Sequence, residues 1–341
     1  MILVTGANGF LGRNLIDELH GRKYRIRAFI GPGNTEHNLD GRVAEILHGD
    51  ILDTSAVQQA AEGCDTVIHT AAVTTIWPRR NATQRRININ GTANVLEAAR
   101  KVKAKRMVYV GSATSFGCGS KEDPGDETRG YCLGSYGLDY FDSKYEAQQI
   151  VLQAARKGDV PVVVVNPTYM FGPYDSKPGS GTLILGVYHQ KLPGGGTGGR
   201  NYASVKDVAV GIANALEKGK IGDCYILGNE NLSYSELYAK ISSVTGKPAA
   251  KSTWPAWLGK AAGLAGSIYG RVFHVMPALT YTLVKLALSE HYYTAKRAVE
   301  VLAMPQTPIE TAIDEALGWF RDNGYLDLRF LKEKVQKRGS T

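Results

Sequence analysis

Thr5-Gly6-Ala7-Asn8-Gly9-Phe10-Leu11-Gly12 restricts this chain more than any other stretch. Its glycines follow directly on the apolar run Ile2-Leu3-Val4. Beyond them Leu11, Leu15, Ile16 and Leu19 recur at three- and four-residue steps, the period of an amphipathic helix. The pattern predicts a buried strand, a tight turn and a helix in immediate succession. Glycine lets the backbone bend sharply and approach a bound group closely. The start of the helix adds free N–H groups and the positive end of its dipole. The turn is therefore suited to an anion, a pyrophosphate above all.

The same alternation continues. Strands are expected at Arg25–Ile30, Ala44–His48, Thr66–Ala72, Arg106–Val110 and Val160–Val165. Helices are expected at Leu52–Ala61, Asn81–Val102 and Asp139–Arg156. Short all-apolar strands between helices imply a doubly wound parallel sheet covered on both faces, an α/β Rossmann architecture. After Asn166 the rhythm loosens into Pro- and Gly-rich stretches at 172–181 and 193–199. Asp207–Glu217 and Cys224–Leu227 read as one more helix and strand returning to the sheet. The remainder, from about Asn229, reads as mainly helical. The domain reading is 1–167 plus about 201–228 for the dinucleotide-binding part. Residues 168–200 plus 229–341 then form a smaller substrate lobe. Lys332–Arg338 reads as a solvated, fraying end.

Composition narrows the class. The 341 residues carry a net charge of +8, too dilute for a nucleic-acid-binding surface. Cys64, Cys118, Cys132 and Cys224 form no C-x-x-C pair, and the seven histidines have no ligand spacing, so no metal is expected. His69 reads as a strand-end packing residue. The N-terminus has no signal-peptide pattern, and Lys260, Arg271 and Lys285 interrupt the most apolar region, so no membrane span is expected. These features together predict a cytoplasmic chain.

Tyr140-Phe-Asp-Ser-Lys144 sets a phenol and an amine at i and i+4, on one helix face. A tyrosine of ordinary pKa, about 10, is a poor acid or base at neutral pH. A neighbouring ammonium favours its phenolate and draws that pKa down. The strand before this helix ends Val110-Gly111-Ser112-Ala113-Thr114-Ser115.

In this order, Thr-Gly-x-x-Gly-x-x-Gly, the strand-end serine and Tyr-x-x-x-Lys resemble the extended short-chain dehydrogenase/reductase superfamily, of NAD-dependent epimerase/dehydratase type. The resemblance runs along nearly the whole chain. It implies that Gly6, Asn8, Gly9, Phe10, Leu11 and Gly12 hold the pyrophosphate side of NAD(P)(H). Asp50 and Ile51 would meet the adenine. Thr70, Ala71 and Ala72 would line the cofactor, and Asn88, Gly91 and Thr92 match the opening of the fourth helix. It makes Ser112, with Ser115 a lesser claimant for its place, Tyr140 and Lys144 the catalytic set, and Tyr140 and Lys144 also touch the cofactor. Asn166-Pro167-Thr168 followed by Gly172-Pro173 resembles the dihydroflavonol-reductase-like and 3β-hydroxysteroid-dehydrogenase-like branch, with Pro167 and Thr168 against the nicotinamide. Residues 221–233 also resemble a hopanoid-associated sugar epimerase group. Many members pair the helices here at 81–102 and 139–156 across a two-fold axis, which implies a homodimer.

These residues support an NAD(P)-dependent oxidoreductase acting on a carbonyl or alcohol carbon of a small apolar molecule. A sugar-nucleotide epimerase or dehydratase is the alternative, and a non-catalytic dinucleotide-binding regulator the second. The segment Ile30-Gly31-Pro32-Gly33 holds no acid for a ribose 2′-hydroxyl, which leans toward NADP. Arg13 could reach a 2′-phosphate or be a plain surface arginine. Arg79, Arg80, Arg85 and Arg86 read as solvated. In Trp254–Tyr293 the bulky residues Trp254, Trp257, Tyr269, Phe273, Met276 and Tyr281 are expected either as ordinary core or as an apolar cleft closed over Tyr140.

Overall fold

The computed structural model describes residues 1–33, 36, 39–192, 196–248, 255–273, 275, 277 and 279–327. Trp254, Met276 and the Lys332–Arg338 run lie outside the described residues. The strands are β1 Ile2–Thr5, β2 Ile26–Ile30, β3 Glu45–His48, β4 Thr66–His69, β5 Arg106–Val110, β6 Val162–Pro167, β7 Tyr169–Phe171, β8 Gly199–Ser204, β9 Cys224–Leu227, β10 Glu230–Ser233 and β11 Glu290–His291. The helices are α1 Phe10–Gly21, α2 Thr54–Ala61, α3 Ala82–Lys101, α4 Asp139–Lys157, α5 Thr182–Tyr188, α6 Val205–Lys218, α7 Tyr234–Thr245, α8 Ala256–Phe273, α9 Tyr281–Ala287, α10 Lys296–Leu302 and α11 Ile309–Asp322.

Seven strands form one sheet in the order β3-β2-β1-β4-β5-β6-β9, every pair parallel. Alternate side chains of each strand enter opposite layers. Ile2, Val4, Val163 and Val165 pack under α1 and α6. Leu3, Val162 and Val164 pack under α2, α3 and α4. The order of connection reverses between β1 and β4. Such a switch leaves a crevice beyond the strands' carboxyl ends, where α/β sheets bind ligands. Thr5 and His69 are register partners at that point.

A second sheet is built on β8, which pairs with β7, β10 and β11. Its core joins Phe171, Tyr202, Leu237, Ile241, Ile313 and Phe320. The region after Asn229 is mainly helical, as expected, with the short strands β10 and β11 among its helices. Strand β8 straddles the expected boundary at 200/201 and belongs to the second sheet, because its partners come from 169–171, 230–233 and 290–291.

The hairpin of α8 and α9 also departs from expectation. Its packed face is made of glycine: a Cβ on Gly263 would sit 2.9 Å from Thr280 O, and one on Gly270 2.7 Å from Pro277 Cδ. The large side chains are thereby turned outward. Trp257 is 71% exposed, Phe273 60%, and Tyr269 and Tyr281 are exposed as well. These four are neither ordinary core nor the walls of a closed cleft.

Candidate active site

The glycine turn is shaped by close approach. Gly6 has φ +70°, and a Cβ there would lie 2.8 Å from the Ala71 backbone. A Cβ on Gly12 would run into the Gly6 carbonyl. Gly9 is the N-cap of α1 in extended conformation, and no side chain caps the helix. Gly9 thus leaves the first-turn N–H groups, at the positive end of the dipole, without a capping side chain of its own. This arrangement fits a pyrophosphate. Asn8, Phe10 and Leu11 are half-buried around the turn.

Thr70, Ala71 and Ala72 leave β4 beside it. Thr70 Oγ1 donates to Thr5 O at 2.7 Å, and Ala71 N to Thr5 Oγ1 at 3.4 Å. Beyond β3, Asp50 is exposed and accepts from Leu52 N at 2.9 Å. Ile51 packs onto Gly91, where a Cβ would lie 2.8 Å from Ile51 Cγ2. Under the crevice runs a buried chain: His69 Nδ1 meets Thr5 Oγ1 (2.7 Å), His69 Nε2 meets Thr92 Oγ1 (3.0 Å), and Thr92 donates to Asn88 O (2.6 Å). Burial, then the Lys144 charge, holds His69 down to about 3. His69 is thus the packing residue the sequence suggested.

Ser112 follows β5, and α4 carries Tyr140 and Lys144 toward it. The Ser112 hydroxyl faces the Tyr140 phenol and favours its ionised form. Thr114 Oγ1 donates to Ser112 Oγ at 2.8 Å. Asn166 Nδ2, at the end of β6, donates to Ser112 O (2.9 Å) and to Gln148 Oε1 (2.6 Å). Gly111 is required for this convergence, since a Cβ there would stand 2.5 Å from Asn166 Nδ2. Pro167 is buried, and Thr168 N donates to Leu227 O at 3.1 Å. Ser115 is buried, and its hydroxyl has no hydrogen-bond partner among the described residues.

The electrostatics differ from the simple expectation. Lys144 Nζ donates to Val110 O at 2.7 Å and lies 4.9 Å from the Tyr109 ring centre. Burial draws its pKa down to about 7. Burial raises the Tyr140 pKa, and the Ser112 hydroxyl pulls it back. The opposing pull on Tyr140 therefore comes from Ser112, while Lys144 has lost much of its own preference for the charged form.

Gln148 and Thr114 were not singled out from sequence. Gln148 extends the Tyr140–Lys144 stripe by one more helical turn, a signal that periodicity carries. Arg79, Arg80 and Arg86 are exposed, as expected, and Arg85 is half-buried. Arg80 pairs with Asp139 (2.9 Å) and Asp142 (3.2 Å), and Arg85 with Glu146 (2.6 Å), so both bind the face of α4. Arg13 is 3% exposed, paired with Asp17 at 3.0 Å and held over the Tyr174 ring, so it is no plain surface arginine. Arg200 donates from Nε to Tyr234 Oη at 2.8 Å and forms no ion pair among the described residues.

Comparison with known proteins matches this geometry to a family. A "Putative dihydroflavonol 4-reductase" of Synechocystis sp. is 34% identical over 328 residues, 95% of each chain. "Sterol demethylase protein B" of Methylococcus capsulatus is 28% identical over 329 residues, 95% of this chain and 99% of that protein. The solved structure of gox2253 superposes with a TM-score of 0.84 at 31% identity, covering 95% of this chain and 98% of the other. The model of the NAD dependent epimerase/dehydratase family matches residues 2–228. The chain belongs to that family of extended short-chain dehydrogenase/reductase enzymes.

Proposed function

We propose that the protein is an oxidoreductase that moves hydride between NAD(P)(H) and a carbonyl or alcohol carbon of a small apolar substrate. The observation that carries this reading is the meeting of the Tyr140 and Ser112 hydroxyls one helical turn from Lys144, beside the glycine turn. When bound, the nicotinamide supplies the carbon that gives or takes hydride. Tyr140 gives the substrate oxygen its proton or removes it. Ser112, held by Thr114 and Asn166, hydrogen-bonds the same oxygen and steadies its developing charge. Lys144 supports the phenolate when protonated and bonds the nicotinamide ribose.

Gly6, Asn8, Gly9, Phe10, Leu11 and Gly12 would hold the pyrophosphate side, Asp50 and Ile51 the adenine. Thr70, Ala71, Ala72, Pro167 and Thr168 would hold the nicotinamide side. NADP is favoured, because 30–33 offers no carboxylate to a ribose. An apolar substrate is supported by the cluster of Leu133, Leu138, Phe141 and Leu286 against which Tyr140 packs. The flavonol and sterol in the relatives' names agree with it. The parts that hold cofactor and substrate are read as 1–167 with about 201–228, and about 168–200 with 229–341, with β8 crossing from one to the other.

A second reading, sugar-nucleotide epimerase or dehydratase, is favoured by Arg200, a half-buried cation without a carboxylate. A diphosphate would answer it. The two readings separate on cofactor behaviour. Apolar aldehydes and ketones should oxidise added NADPH in proportion to product. Tight binding of uridine diphosphate sugars, with no carbonyl reduced and no net cofactor consumed, would favour the epimerase.

A further inference from the structure

The α8–α9 hairpin is inverted relative to an ordinary helix of a water-soluble domain. Taking about 100° per residue, Trp257, Leu264, Ile268 and Val272 fall in one sector of roughly 80°. All four are exposed, Val272 at 62% and Ile268 at 57%. Tyr269 and Phe273 extend this sector on one side, and the exposed Lys260 and Arg271 border it on the other. Gly259, Gly263, Gly266 and Gly270 occupy the opposite sector, packed on α9 and the residues before it. The small face is packed, and among the described residues nothing covers the large one, an apolar surface fit for a partner.

Charge selects what that is. From 237 to 289 the sequence has no Asp or Glu, yet it holds Lys240, Lys247, Lys251, Lys260, Arg271 and Lys285. Among the described residues Lys260 and Arg271 form no ion pair. A second copy seated on this face would bring like charges together, with no acid in the stretch to answer them. We propose that the α8–α9 hairpin docks the protein on an anionic lipid surface. Apolar and aromatic side chains would enter the acyl boundary while Lys260 and Arg271 meet headgroup phosphates. The hairpin lies in the interface rather than crossing it: no described helix is long and apolar enough to span a bilayer.

The hairpin's root touches the candidate site. Leu286 of α9 packs in the cluster beside Tyr140, Tyr136 Oη donates to Ser289 Oγ at 3.0 Å, and Lys285 Nζ lies 4.6 Å from the Tyr136 ring centre. A docked hairpin would thus bring the substrate side of Tyr140 near the lipid. Docking itself requires nothing of the chemistry proposed above.

The test is co-sedimentation of the full chain with vesicles of phosphatidylcholine mixed with about one third phosphatidylglycerol. We expect binding to these vesicles, weaker by at least about tenfold on phosphatidylcholine alone. Trp257→Ser with Ile268→Ser, and separately Lys260→Glu with Arg271→Glu, should each weaken binding at least about tenfold. Thermal midpoint and dinucleotide binding should stay unchanged. Should the apolar pair fail to fold, the charge pair carries the test. Absence of vesicle binding by the unaltered chain would overturn the proposal, as would equal binding by the folded variants. So would a dimer, seen by light scattering, that the Trp257→Ser and Ile268→Ser changes dissolve without any effect on vesicles.

Discussion

Tyr140 must hold or release a proton while burial presses its phenol toward the neutral form. Tyr140→Phe removes the proton and keeps the ring. Turnover should fall by at least ~10²-fold with dinucleotide affinity retained by calorimetry, and near-normal turnover would remove Tyr140 from the chemistry. His69 supplies a pH prediction. Its folded pKa of about 3 lies below the ordinary 6.5, so between those values the unfolded chain binds more protons. Stability therefore rises with pH through that window and is lost on acidification, with a slope approaching ~1.4 kcal/mol per pH unit. Urea midpoints measured across pH 4–6.5 should flatten in His69→Gln. Lys144 adds the same sign of slope between about 7 and 10.5. The spacing of Tyr140 and Lys144 was legible in sequence because helix periodicity is local, whereas Ser112 was offered by the family resemblance. The depressed Lys144 pKa was not, because the burial that causes it is made by strands and helices from other parts of the chain.

Helices α3 and α4 lie side by side, and Asp139 couples them. It is 4% exposed, accepts from Asn81 N at 2.6 Å and pairs with Arg80 at 2.9 Å. Asp139→Ala strands the Asn81 N–H beside the start of α3 and should cost about 1–3 kcal/mol of unfolding free energy. Arg85→Ala, which breaks a pair on the surface, should cost no more than about 1 kcal/mol. A urea titration that ranks the two in the reverse order would refute this account. Sequence periodicity found every strand of the large sheet to within a few residues, since each is a compact apolar run. It missed β10 and β11, which begin with Glu230 and Glu290 and become strands only by pairing with β8. It misread α8 because hydrophobicity alone does not tell which face a glycine row will occupy.

At the scale of the molecule, the exposed faces of α3 and α4 are expected to meet their symmetry mates in a C₂ homodimer. Light scattering that gives a monomer throughout the micromolar range would reject that assembly. The interleaving of the two sheets has a further consequence. The chain leaves β6 for β7, builds β8 in the small sheet, and returns with β9 to finish the large one. Two of the three partners of β8, β10 and β11, come after residue 228. A fragment ending at Gly228 contains every strand of the large sheet, yet in it β8 would keep only β7 as a partner, and the edge that β10 covers would be bare. We expect that fragment to aggregate when expressed by itself, and a soluble, cooperatively melting 1–228 would disprove it. On the ribosome, the emerging polypeptide would carry this exposed strand until the last third of translation is complete, an interval in which holdase chaperones have a specific segment to shield.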